Sequence, residues 1–179
     1  MHHLLERKDM ENMINNFPLA NNHISVDCVV IGFDGEQLKI LLIKRMGEEL
    51  GEVFHDMKLP GSLIYMDEDL GEAAKRVLNE LTGLKNVQLM QFKAFGSKDR
   101  TKDPKDIHWL ERAIQSKVER IVTIAYLSMV KIDRALSRNL DDFQAYWVAL
   151  QDIGPLAFDH NLIIKEALVY IRQYVEFNP

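Results

Sequence analysis

The period of the apolar positions changes several times along the chain, and each period predicts an element. Ile24 to Phe33 is dominated by β-branched residues and reads as a strand. Asp34-Gly35 follows as a two-residue turn signal, because glycine takes positive φ at little cost. Leu38 to Lys44 reads as a second buried strand, so the two segments predict a hairpin feeding a central sheet. Met46 to Asp56 is expected as an acidic loop, and Met57 to Ile64 as a short strand broken at Leu59-Pro60-Gly61-Ser62. Leu70 to Thr82 has the clearest helical period: Leu70, Ala73, Ala74, Val77, Leu78 and Leu81 form one face. Asp69 is placed to cap it, with Glu72 completing something close to a capping box, and Gly83 is placed to end it. Val87–Phe95, Arg120–Val130 and Phe143–Leu150 read as further strands. Asp159 is placed to cap a final helix carrying Leu162, Ile163, Ala167, Leu168, Ile171 and Val175. Ser97 to Glu119 is a long charged insertion with helical spacing at Ile107, Leu110, Ala113 and Ile114; a connection of this length is functional or mobile. Residues 1–22 read as a polar lead-in, with a short helix expected at Leu4–Ile14. The alternation predicts one α/β layered domain with a mixed sheet.

Composition narrows the functional classes. A chain of 179 residues is one domain with some extra length. Its net charge of −5 argues against a basic nucleic-acid-binding surface. No apolar run approaches the ~20 residues that span a bilayer, so no membrane partner is expected. Met1 to Ala20 carries Glu6, Arg7, Lys8 and Asp9 and does not read as a secretory signal. Cys28 is the one cysteine, which excludes an intramolecular disulfide and points to a cytoplasmic location.

The candidate chemistry lies between Leu59 and Leu84. A glycine turn is followed by Glu68 at an acidic helix start. The helix then carries Arg76-Val77-Leu78-Asn79-Glu80-Leu81 and ends in Thr82-Gly83-Leu84. This segment resembles the Nudix box, G-x5-E-x7-R-E-U-x-E-E-x-G-U with U aliphatic. Without gaps, Glu68, Arg76, Glu80 and Gly83 take the family positions. Ser62 stands where the first glycine belongs, Val77 where a glutamate follows the arginine, and Leu81 where the last glutamate belongs. The resemblance implies a Nudix fold, a mixed β-sheet sandwiched between helices (α/β/α). In active members it also implies divalent metal and water cleaving a pyrophosphate bond. Magnesium prefers oxygen ligands, and carboxylates three and four residues apart share a helix face. Valine and leucine neither ligate metal nor take a proton, and losing a general base alone costs roughly 10²–10⁴ in rate. The catalytic set is therefore not intact, with Glu68, Arg76 and Glu80 as its residue and Glu80 as the remaining candidate metal ligand. From residue type alone, Arg76 with Glu72 and Glu80 also fits a solvated i,i+4 charge ladder, and Val77 and Leu81 also fit a core stripe.

Val26 to Arg45 and Pro155 to His160 resemble the Nudix-related transcriptional regulators of the NrtR type. These carry a sensing Nudix domain, often with a degraded box, followed by a winged helix-turn-helix. The resemblance covers most of residues 23–179 and places the DNA-binding module after Pro179, so DNA is an expected partner only through that further domain. It implies a small-molecule effector, either a nucleotide such as ADP-ribose or a sugar such as a pentose, and a homodimer. No cofactor is required in this reading; magnesium belongs to the alternative, a divergent pyrophosphohydrolase of ADP-ribose or a similar nucleoside diphosphate derivative. A ligandless dimerisation scaffold is a third reading. The expected ligand-binding residues are Lys44, Arg45, Ser62, Glu68, Arg76 and Glu80. Lys44, Arg45 and Arg76 are the candidate cations for a diphosphate, with Lys44 and Arg45 also readable as exposed strand-end charges.

Other residues read as structural or remain open. His160 fits a hydrogen-bonded role at a helix start, and Cys28 a small buried residue. His23, His55 and His108 lack mutual ligand spacing. Trp109 fits either an anchor for a partner subunit or local packing of the insertion. Glu48, Glu49 and Glu52 fit either a completed metal site or a solvated acidic loop.

Overall fold

The computed structural model describes residues 19–177; the expected helix at Leu4–Ile14 lies outside the described residues. Among the described residues seven strands form one mixed sheet: β1 (Ala20–Phe33), β2 (Leu38–Glu49), β3 (Glu52–Lys58), β4 (Gly61–Tyr65), β5 (Met90–Phe95), β6 (Val122–Lys131) and β7 (Ala145–Ala149). The main order is β3-β2-β1-β6-β5, with β4 also paired to β1 and β7 to β2. β1 runs parallel to β6 along most of its length and antiparallel to β2 and β4. The helices are α1 (Leu70–Thr82), α2 (Pro104–Ile114), the one-turn α3 (Arg134–Ser137) and α4 (His160–Phe177).

The side-chain alternation of β1 builds two cores. Val26, Cys28 and Val30 point to one face and meet Ala73, Ala74, Val77 and Leu78 of α1. Val29 and Ile31 point to the other and meet Ile163, Ile164 and Ala167 of α4. The sheet is thus covered by a helix on each face, as the resemblance implied. Burial pushes the Cys28 thiol up, which suits an inert core residue.

The helix over Leu70–Thr82 has the expected bounds. Glu72 reaches back to accept the Asp69 N–H at 2.9 Å. Gly83 adopts φ +71° and donates its N–H to Asn79 at 2.8 Å, ending the helix. The stretch expected as an acidic loop is instead a hairpin: β2 runs on to Glu49 and β3 starts at Glu52. Leu50 and Gly51 both take positive φ at its tip, the conformation a tight two-residue hairpin turn needs. β1 starts four residues before the expected strand, and β5 starts three residues after it. Phe143 belongs to a 3₁₀ turn, Leu140–Phe143, rather than to β7. Asp159 passes its backbone carbonyl to the first N–H groups of α4, while its carboxylate is turned to Arg100. The charged insertion contains α2, capped by Asp103 and started by Pro104.

Candidate functional site

A cleft of about 470 Å³ opens between α1, the β2–β3 pair and the Leu140–Gln144 turn. Lys44, Arg45, Ser62 and Glu80 line it, together with Leu81 and Lys58. Four of the six expected ligand residues are therefore brought together. Glu68 and Arg76 are not among the residues lining this cleft.

Glu68 and Arg76 instead clamp the loop that leads into α1. Arg76 Nε donates to Glu68 Oε2 at 2.8 Å, and its Nη2 donates to the Leu63 carbonyl at 3.1 Å. Glu68 Oε1 accepts the Tyr65 N–H at 2.7 Å, and the guanidinium lies 3.7 Å from the centre of the Tyr65 ring. The Arg76 contact holds the Glu68 carboxyl below the usual range. The charge ladder is real on one side only: Arg76 pairs with Glu80 at 3.0 Å, whereas Glu72 serves the helix cap.

Arg45 and Lys44 are neighbours with opposite fates. Lys44 is exposed and lines the cleft with no side-chain partner among the described residues. Arg45 is buried rather than an exposed strand-end charge, with Nε 2.7 Å from Asp56 Oδ1 and Nη1 2.7 Å from Asp106 Oδ1. The second of these is a charge contact without hydrogen-bond alignment. Phe54, Trp109 and Phe158 surround the guanidinium at 5.0, 5.2 and 5.1 Å. Trp109 thus packs on its own domain, and its Nε1 donates to the Met46 carbonyl at 3.2 Å.

The turn ahead of the box is held from beneath. Lys58 Nζ donates to the carbonyls of Leu59 and Gly61 at 2.9 and 3.0 Å. His160 Nδ1 accepts the Leu59 N–H at 2.9 Å, and Cys28 N–H donates to the Pro60 carbonyl at 2.8 Å. Burial brings the Lys58 ammonium down to about 8 and the His160 imidazole down to about 4. His160 is therefore neutral at pH 7, and its proton sits on Nε2, 3.4 Å from Asp27 Oδ1.

The donor set does not suit the metal that a complete box holds. Val77 is fully buried in the α1 core, and Leu81 is a half-buried aliphatic on the cleft wall. Glu80 is the one box carboxylate lining the cleft, and it is tied to Arg76. Among the described residues no group of three or more His, Cys, Asp or Glu stands close enough to hold a metal ion. Glu48, Glu49 and Glu52 sit at the end of the β2–β3 hairpin, and Glu49 pairs with His108 of α2 at 2.9 Å.

A family model described as the NUDIX domain matches residues 21–168. The chain belongs to the Nudix family. Solved structures of Shewanella oneidensis NrtR resemble this Nudix domain. One is 27% identical with a TM-score of 0.65, covering 84% of this chain and 63% of that one. A second, complexed with a 27-mer DNA, is 26% identical with a TM-score of 0.63 and covers 84% and 62%. The present chain thus spans less than two thirds of the length of those NrtR chains. The NrtR Nudix domain complexed with ADP-ribose is 24% identical with a TM-score of 0.62, covering 90% and 97%, and at that identity bears on the fold alone. No curated protein sequence matched. No helix among the described residues is long and apolar enough to cross a membrane.

Asp27 and Lys58 stand outside the box pattern and join the site only through the fold. Asp27 carried a readable signal, a carboxylate inside a run of valines. Lys58 carried none, because its partners are backbone carbonyls.

Proposed function

We propose that this chain is the ligand-sensing Nudix domain of an NrtR-type regulator. It binds a small effector, a nucleotide such as ADP-ribose or a sugar such as a pentose, with little or no hydrolysis. The observation that carries this reading is the loss of the acid cradle on α1. One family acid position is a valine sealed in the core, and another is a leucine on the cleft wall. What remains is a cleft with a free cation, Lys44, suited to receive phosphate oxygens by charge-assisted hydrogen bonds. The bond-breaking apparatus of a metal-assisted hydrolase needs ligands that bind the ion and a base or metal-bound water to attack. Here Glu80 alone would serve, and its nearer partner is Arg76.

The resemblance to NrtR supports a regulatory role in which effector binding in this domain controls a separate DNA-binding domain, in a homodimer. Calorimetric titration with ADP-ribose tests the reading. Saturable binding, weakened about tenfold by Lys44→Ala, is the expected result. Absence of binding by any nucleotide or sugar would contradict it.

A further inference from the structure

The insertion between β5 and β6 lays α2 over a small recess of about 100 Å³. Leu110, Ala113 and Ile114 of α2 line it from one side, and Ser25 and Asp27 of β1 line it from the sheet. α2 is held in a different way from α1. The box helix buries Ala73, Ala74, Val77 and Leu78 in the core. The one buried residue of α2 is a charged one, Asp106, while Ile107, Trp109, Leu110 and Ile114 are half-buried.

The attachments of α2 to the β2–β3 pair are polar. Asp106 meets Arg45 at 2.7 Å, Lys105 Nζ meets Asp56 at 3.2 Å, and His108 Nδ1 meets Glu49 at 2.9 Å. Trp109 Nε1 and Arg112 Nη2 donate to the carbonyls of Met46 and Glu48. Apolar burial is the main force that fixes an element to a core, whereas charge pairs reached by water hold weakly and are screened by salt.

The flanks of the insertion are anchored without α2. Ahead of the helix, Arg100 donates to Asp159 at 2.9 Å and to the Ile121 carbonyl at 3.2 Å. After it, Val118 and Ile121 are buried with Leu63, and Leu110 and Ile114 touch this small cluster from outside. At the neck, Arg120 Nη2 donates to the Gly96 carbonyl at 2.6 Å. Between the anchors and the helix lie exposed joints, Lys102–Asp103 on one side and Gln115 on the other, the latter at φ +52°.

We propose that α2 is a lid, latched by charge to the β2–β3 pair, that swings on these two joints and gates the recess without unfolding of the domain. Arg45 is the buried catch, and Lys105 and Arg112 are its exposed helpers. The proposal goes beyond the effector reading, because the motion belongs to the free chain and is measured without any effector.

Two measurements on the whole chain test it. In amide hydrogen exchange, Ile107–Ile114 is expected to exchange about tenfold or more faster than Ala73–Leu78, through an opening that mild urea does not speed. Equal protection of the two helices would overturn the lid. The second measurement traps a thiol in the recess with methyl methanethiosulfonate, a small neutral reagent. Ser25→Cys supplies the buried thiol, and Ser62→Cys, exposed at the cleft, supplies the open reference. The native chain, with Cys28 alone and buried, is the blank. Ser25→Cys is expected to label about a hundredfold slower than Ser62→Cys, and to gain about tenfold when Lys105→Ala and Arg112→Ala are added, with α1 exchange unchanged. Labelling of Ser25→Cys as fast as the reference means an open recess and overturns the lid. Labelling that ignores the latch substitutions and follows global unfolding in urea overturns it as well.

Discussion

Arg45 joins three separate segments through one side chain: β3 by Asp56, α2 by Asp106 and Trp109, and the loop before α4 by Phe158. Removing one partner of a buried ion pair strands the other charges, at a cost of about 3–5 kcal/mol. Arg45→Ala should therefore lower the unfolding free energy by about that amount in urea denaturation; a change within 1 kcal/mol would show that the knot is dispensable. His160 sets a pH dependence of definite sign. Its folded pKa of about 4 lies below the ordinary 6.5, so the unfolded chain binds more protons between those values. Stability is full above pH 6.5 and is lost as pH falls, by about 2 kcal/mol from this group at pH 5. Asp56 acts in the same direction further down. Burial pushes its carboxyl up, but Arg45 and Lys105 more than offset that and hold it below the usual range, so its contribution is lost below about pH 4. Urea midpoints at pH 7.5 and 5 should fall more steeply for the native chain than for His160→Gln; equal slopes would refute the assignment. These roles explain what the sequence left hidden at this scale. A cation next to a box motif reads as a ligand group, and nothing local separates Lys44, which faces the cleft, from Arg45, which its across-strand partner Asp56 draws inward.

The box helix is the element where family resemblance and core packing compete. Its bounds, caps and apolar stripe were readable because all three are local: period, Asp69 with Glu72, and Gly83. The β2–β3 hairpin was not, since its turn is Leu50-Gly51 rather than an Asn-Gly or Asp-Gly pair, and its flanks carry Glu48, Glu49 and Glu52. Acidic residues on the open side of a strand read like a loop when the pairing partner is unknown. The Val77 and Leu81 positions separate two accounts of α1. Val77→Glu places an unpaired carboxylate in a site with no exposure and should cost about 4 kcal/mol or more. Leu81→Glu, half-buried on the cleft wall, should cost about 1 kcal/mol. Similar costs for the two, read from denaturant midpoints, would mean that Val77 is not the core residue its burial indicates.

At the scale of the whole molecule, a Nudix sandwich presents a cleft beside the box helix, lined in part by Lys58, Gly61, Ser62 and Trp109. The turn between Lys58 and Gly61 is bonded to β1 through Cys28 and to the start of α4 through His160. The fold and the box were legible together because box spacing and strand flanks are features of one contiguous stretch. The buried cluster of Asp27, Arg100 and His160 was not, because the sheet and the insertion alone bring its members together. The proposed role is recognition without cleavage. The most direct measurement is a time course of ADP-ribose with the purified chain and Mg²⁺ or Mn²⁺, with binding followed in parallel. The expected result is saturable binding with no AMP or ribose 5-phosphate above the protein-free control. Turnover that disappears in Glu80→Gln would contradict it.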